Sequence, residues 1–155
     1  MNKKFINIIT LLLLMNTVNS FAQNQNNLQK EVNNKPSTKK VISLNTEKES
    51  DWTLYYGVQD KRAPQSPVEL MKSNFKYINA KVPGNVEIDL EREGIIKDPM
   101  VGTQVYELRK YETYAWWYSR TFDAPKVKIG ERVEIAFDGI DCIADVWLNN
   151  QLIAS

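Results

Sequence analysis

The chain has 155 residues, 43% hydrophobic and 25% charged, the balance of one ordinary globular domain and not of a disordered, collagen-like or multi-pass membrane protein. Its 20 Lys and Arg against 19 Asp and Glu leave a net charge of +1, which gives no electrostatic basis for holding nucleic acid through its phosphates. The absence of histidine removes Ser-His-Asp and Cys-His catalysis and the commonest zinc ligand. The lone Cys142 has no second thiol with which to close a disulfide or build a metal or redox pair. Any catalysis has to rest on carboxylates, hydroxyls, Lys or Tyr.

Residues 1–22 read as a secretory leader. Lys3 and Lys4 supply the positive start, residues 5–15 are apolar at all but Asn7 and Thr10, and Ser20-Phe21-Ala22 offers small residues where signal peptidase inspects. The apolar run is short of the roughly 20 residues a spanning helix needs, and no Cys follows it that could carry a lipid. Cleavage after Ala22 removes two lysines and no acids, so the exported chain is nearly neutral, with a periplasmic or extracellular destination and no membrane attachment. Residues 23–40 are Asn, Gln and Lys with only Leu28 and Val32 as larger apolar side chains, too few to offset the entropy of ordering; they read as a flexible spacer.

From residue 41 the patterning is that of strands. Residues 41–44 and 52–56 are short β-rich segments separated by the polar NTEKES. Pro64 and Pro67 break the next loop, residues 68–72 suit one helical turn, and residues 75–82 resume a strand. After the Pro83-Gly84 turn, Asn85 is placed to cap a short helix over 86–93, with Val86 and Leu90 on one face, Glu87 and Asp89 in the first turn, and Gly94 at its end. Residues 116–122 alternate, Trp116, Tyr118 and Phe122 against Trp117, Ser119 and Thr121, with Arg120 an odd member of the aromatic face. Val133, Ile135 and Phe137 alternate as a half-buried strand. Ala144, Val146 and Leu148 do likewise, and Asn149-Asn150 predicts a two-residue hairpin turn before Leu152 and Ile153. Successive strands with hairpin chemistry and one short helix predict an all-β, antiparallel sandwich.

The ordered set VPGNVEIDLEREGIIKDPMVGTQ, YAWWYSRTFDAP and GERVEIAFDGIDCIADVWLNNQLIAS resembles the N-terminal sugar-binding-type jelly-roll domain of glycoside hydrolase family 2, in its β-mannosidase branch. The resemblance runs from about Val82 to Ser155. It implies a galactose-binding-like jelly roll, here truncated at its C-terminus before the closing strands, followed in the parent protein by immunoglobulin-like domains and a catalytic (β/α)₈ barrel. It also implies a secreted retaining exo-β-glycosidase, with no cofactor, acting on a β-linked oligosaccharide. Retaining hydrolysis needs two carboxyl groups about 5–5.5 Å apart; in the family both are glutamates of the barrel, so no catalytic residue and no metal ligand is assigned to this chain. β-Glucosaminidase, β-galactosidase and β-glucuronidase branches are alternatives within the class. A free-standing carbohydrate-binding or surface-interaction module is the alternative outside it.

The nearby acids Asp138 with Asp141, and Glu87 with Asp89, are read as solvated or capping groups, since nothing in the sequence signals an apolar pocket around them. Tyr106, Tyr111, Tyr114, Trp116, Trp117, Tyr118 and Phe122 form an aromatic concentration. Trp116 and Trp117 are candidates for interdomain contact or sugar stacking, with core packing favoured because alternation buries half of such a strand; both cannot lie in the core of one sheet face. The loop over 98–104, DPMVGTQ, corresponds to a family loop that reaches toward the barrel's active-site mouth. Met100 and Val101 stand where the family usually has aromatics, and Gln104 where it has Asn. Asp98, Thr103 and Gln104 are therefore candidates for the substrate-pocket rim. Cys142 is read as a small hydrophobe with no role.

Overall fold

A computed structural model describes the backbone of residues 7–14, together with residues 40–129, 131–141 and 143–155. The cleavage site at Ala22, the spacer over 23–39 and Cys142 lie outside the described residues. The strands are β1 (Asn7–Leu14), β2 (Trp52–Val58), β3 (Lys76–Ala80), β4 (Tyr114–Phe122), β5 (Ile143–Leu148) and β6 (Gln151–Ala154), with helices α1 (Pro67–Leu70) and α2 (Val86–Arg92) and a 3₁₀ helix over Gln104–Tyr111. The strands form one sheet in the order β3-β2-β4-β1-β5-β6. Every neighbouring pair is antiparallel, which is the all-β arrangement that the patterning predicts.

Alternation sorts the side chains onto two faces. On the inner face Trp52, Leu54, Tyr56, Trp116 and Tyr118 pack with Ala80 and with Val86 and Leu90 of α2. On the outer face Trp117 and Ala115 pack with Leu70 of α1, flanked by Tyr55, Phe75 and Trp147. Gly57 explains itself here, because a Cβ at that position would lie 2.5 Å from the Phe75 ring; the strand leaves out a side chain so that the ring can seat.

Local signals in the sequence are reproduced in the backbone. Ser66 caps α1 and Pro67 occupies its first turn. Asn85 caps α2, its Oδ1 accepting from Ile88 N at 2.9 Å, and Gly94 beyond the helix has φ of 68°, the left-handed conformation that ends helices. Asn149 and Asn150 have φ of 49° and 66°, so both central residues of the β5–β6 hairpin are left-handed, as a type I′ turn requires.

Two predicted strands are not strands. Residues 41–44 form no strand; at the end of the segment side chains take the carbonyls instead, Leu44 O accepting from Trp52 Nε1 and Arg120 Nη1, both at 2.7 Å, and Asn45 O from Arg120 at 2.9 Å. Arg120, the odd member of the aromatic face, is thus the anchor of this segment; its guanidinium lies over Trp52 and 3.6 Å from Asp51. Asp51 in turn accepts from the N–H groups of Glu47 and Lys48, and these bonds, the Lys48 one foremost, hold its carboxyl below the usual range. Thr46 closes the segment by exchanging hydrogen bonds with Val82, N to O and N to Oγ1, both at 2.7 Å.

Residues 131–137 are also irregular. Their apolar alternation orients Val133, Ile135 and Phe137 toward Phe122, Val146 and Leu148 around an open apolar trough of about 890 Å³. The expected half-buried face is not formed, since Val133 and Phe137 are exposed and Ile135 alone is half-buried; both edges of β4 and of β5 are already paired, so no ladder position is left beside them. A third difference lies at the N-terminus: residues 7–14, inside the segment read as a leader, form β1 between β4 and β5.

Candidate functional site at the loop over 98–104

The loop leaves α2 through Gly94 and is bent by its own first residue. Asp98 Oδ1 accepts from Met100 N at 2.8 Å and Asp98 O from Val101 N at 3.2 Å, an Asx-type turn of the kind Asp favours. Gly102 has φ of 58°, and Val101 O then accepts from Gln104 N at 3.2 Å as the 3₁₀ helix begins. The result is a projecting tip on which Met100 is 90% exposed, with Val101, Val105 and Tyr106 also exposed. At the far end of the 3₁₀ helix Tyr111 packs edge-on to Tyr114 at 5.1 Å and beside Trp116 at 5.9 Å. The tip is therefore mounted on the buried aromatic stack of the inner face.

Of the three rim candidates, Asp98 has one carboxylate oxygen committed to its own turn. Thr103 is exposed at the N-cap position of the 3₁₀ helix, and its hydroxyl makes no capping bond. Gln104 is half-buried beside it. Thr103 and Gln104 are adjacent in the chain and supply a hydroxyl and an amide, a donor and acceptor set suited to sugar hydroxyls. Trp116 and Trp117 are elsewhere and closed: they are 1% and 0% exposed, Trp116 in the inner cluster and Trp117 in the outer one. Neither indole has the open ring face that sugar stacking needs, and the two faces of one strand accommodate both.

The acids singled out in the sequence divide differently from expectation. Asp138 and Asp141 are exposed, but Asp89 is 0% exposed, not solvated at a helix start. Its Oδ1 accepts from Lys81 N at 3.1 Å and from Arg92 Nη1 at 2.7 Å, while Arg92 Nη2 donates to Asn79 O at 2.7 Å. Oδ2 and Arg92 Nε are buried with no hydrogen-bond partner among the described residues. The helical period held the signal, since Val86, Asp89 and Leu90 stand at i, i+3 and i+4 and share the face that packs inward. This pair welds α2 to the end of β3.

Beneath it, burial foremost and then the charge of Asp89 push the Tyr118 hydroxyl well above the ordinary 10.0, with Arg92 pulling the other way. The folded state thus keeps a proton that the unfolded chain releases, so this contribution is intact below pH 10 and is lost as pH rises through and beyond it. Tyr118→Phe is expected to flatten the alkaline limb of a stability-against-pH curve from urea melts; an unchanged slope above pH 10 would remove Tyr118 as its source.

A family model described as the glycosyl hydrolase 2 galactose-binding domain-like family matches residues 52–155. Among curated relatives, beta-mannosidase B of Thermothelomyces thermophilus is 39% identical over 74 residues, 48% of this chain and 9% of that protein. Beta-mannosidase B of Aspergillus niger is 38% identical over 72 residues, 46% of this chain and 8% of that protein, and that of Emericella nidulans is 35% identical over 72 residues with the same coverage. The matched segment thus spans less than a tenth of these relatives. No solved structure gives a significant match.

Proposed function

Because the chain belongs to the galactose-binding-like domain family of glycosyl hydrolase 2, we propose that it is the amino-terminal, non-catalytic domain of a longer, secreted, retaining exo-β-glycosidase of β-mannosidase type. Its substrate is a β-linked oligosaccharide, it needs no cofactor, and its leader is cleaved after Ala22 on the way to the periplasm or beyond. The observation that carries this reading is the family match over residues 52–155 together with relatives named as β-mannosidases. Retaining chemistry requires an acid/base carboxyl and a nucleophilic carboxylate across the scissile bond. Asp89 is unsuited to either, being sealed in the core against Arg92. The chain's part in such an enzyme is to place the loop over 98–104 at the rim of the substrate pocket, where Thr103 and Gln104 meet sugar hydroxyls and Asp98 sets the loop's shape.

The test is to assay the full-length gene product on aryl β-mannoside, β-glucoside, β-galactoside, β-glucuronide and N-acetyl-β-glucosaminide, beside residues 23–155 alone. Turnover is expected from the first, fastest on the mannoside, and none from the second. Oligosaccharide binding without hydrolysis by the full-length product would replace this reading with that of a binding module.

Within the active enzyme, Gln104→Ala is expected to lower kcat/KM by about tenfold, the loss of one hydrogen bond to substrate, with the thermal melt unchanged. Asp98→Ala lowers the melting temperature as well, because Met100 N loses its acceptor. Kinetics paired with melts separate the two; an unchanged kcat/KM for Gln104→Ala would leave the loop a structural turn.

A further inference from the structure

We propose that Thr103, Tyr106 and Arg109 form one recognition row, which receives a carboxylate-bearing sugar, a uronic acid, on the leaving-group side of the substrate. The inference rests on the reading above that the loop over 98–104 borders the pocket of an exo-acting glycosidase, and it names the class of sugar that meets that border.

The row follows from the type of helix. In a 3₁₀ helix side chains three apart eclipse one another, so the eight residues of Gln104–Tyr111 with their N-cap Thr103 fall into three rows. Val105, Leu108 and Tyr111 make the supporting row: Leu108 and Tyr111 are half-buried, and Tyr111 meets Tyr114 and Trp116 of β4. Gln104, Glu107 and Lys110 make the second, in which Lys110 Nζ and Glu107 Oε2 neutralise each other at 3.8 Å. Thr103, Tyr106 and Arg109 make the third, and all three are exposed. Tyr106 N donates to Thr103 O at 3.1 Å, which keeps the first two members in step. Runs of 3₁₀ helix longer than about four residues are uncommon. An α-helix, with about 3.6 residues per turn, would spread these three side chains over a wider face.

Chemically the row reads hydroxyl, ring, guanidinium. The Thr103 side chain makes no capping bond, and Tyr106 is 61% exposed, so a hydroxyl and an aromatic surface are both presented outward. The Arg109 guanidinium lies 5.4 Å from the centre of the Tyr106 ring, a contact that orders the side chain. Unlike Lys110, Arg109 forms no ion pair among the described residues. A planar fork of N–H donors, ordered before any ligand arrives and lacking a counter-ion, matches a carboxylate edge. A neutral sugar has no group that uses the charge. Arg109 stands two 3₁₀ turns beyond Thr103, about 12 Å at the usual rise. With Thr103 at the rim of an exo-acting pocket, only the leaving-group side of the substrate reaches that far outward, which sets the acidic unit there.

The test uses the full-length protein and β-mannosyl trisaccharides whose second or third unit is glucuronate, each beside a twin with glucose in its place. The ratio of kcat/KM, acidic over neutral, is expected to exceed one in the parent and to fall with added salt. In Arg109→Ala the ratio is expected to drop about tenfold, the loss of one charge-assisted hydrogen bond. Lys110→Ala is the control, since it removes a neighbouring cation that already has a partner, and its ratio should match the parent's. An unchanged ratio in Arg109→Ala, or an equal drop in Lys110→Ala, would overturn the row. A drop confined to twins carrying sulfate in place of the carboxylate would overturn the choice of a uronic acid. A full-length product that hydrolyses no glycoside defeats the glycosidase reading and not this one: calorimetric binding of the same trisaccharides, parent against Arg109→Ala, then makes the same comparison, and equal affinity for acidic and neutral twins in the parent overturns the row.

Discussion

Asp89→Ala is expected to destabilise the domain by about 3–5 kcal/mol, the range for removing one partner of a buried ion pair. The size follows from what is left behind. Arg92, only 23% exposed in its side chain, would keep its charge and its bond to Asn79 O but lose its counter-ion, and Lys81 N would lose its acceptor. Against the 5–15 kcal/mol by which domains are ordinarily stable, this one change takes a large share. Asp89→Asn keeps a carbonyl oxygen for Lys81 N and should cost less, about 1–3 kcal/mol. The companion double variant, Asp89→Leu with Arg92→Met, removes both charges; its cost is expected to fall well short of the sum of the two single changes, because neither group is left alone. Urea melts of these variants decide: a loss below about 1 kcal/mol for Asp89→Ala would mean that water reaches the site and that the pair is a surface contact.

The same residue marks where the sequence was legible and where it was not. Features decided within four or five residues were readable, because the chemistry that makes them is local: Asn85 as a cap, Gly94 as a left-handed stop, Asn149-Asn150 as a hairpin turn. Asp89 was half-readable. Its spacing from Val86 and Leu90 put it on the buried face, but that its partners are Arg92 and the backbone of Lys81 depends on how β3 meets α2. Features decided by competition for ladder edges were not readable. Residues 41–44 have the composition of a strand, yet two side chains, Trp52 and Arg120, both take the carbonyl of Leu44 at its end. Residues 133–137 have the alternation of one, yet the edges nearest to them are filled. Residues 7–14 read as a leader because of their neighbours in sequence, whereas their place in the sheet is set by strands more than a hundred residues away. At the candidate site the turn itself was legible from Asp98, Pro99 and Gly102, and its mounting on Tyr111 was not, since a 3₁₀ helix over Gln104–Tyr111 leaves a weak periodic mark.

Trp116 and Trp117 offer the other large effect, and they test whether both faces of the sheet are core. Trp116→Ala and Trp117→Ala are each expected to cost about 3–5 kcal/mol, the range for truncating a buried tryptophan or phenylalanine. They should do so nearly alike although the inner cluster is the larger, because each ring is closed over completely. The phenylalanine variants separate volume from polarity. Both indole N–H groups are buried without a hydrogen-bond partner among the described residues, so each tryptophan already carries the desolvation cost of an unmade bond, about 1–3 kcal/mol. Replacement by Phe removes that donor while leaving a smaller void than Ala does, and the two terms oppose each other. Trp117→Phe should therefore fall within about 1 kcal/mol of the parent, and Trp116→Phe likewise, a much gentler step than volume alone dictates. The outer face discriminates more sharply. If Trp117→Ala melted within about 1 kcal/mol of the parent while Trp116→Ala did not, the outer cluster of Trp117, Leu70 and Phe75 would be a surface feature and Trp117 would return as a candidate for contact with a neighbouring domain. A matched loss at both positions makes α1 and the Phe75 ring a second core layer, closed over Trp117 as the inner cluster is over Trp116.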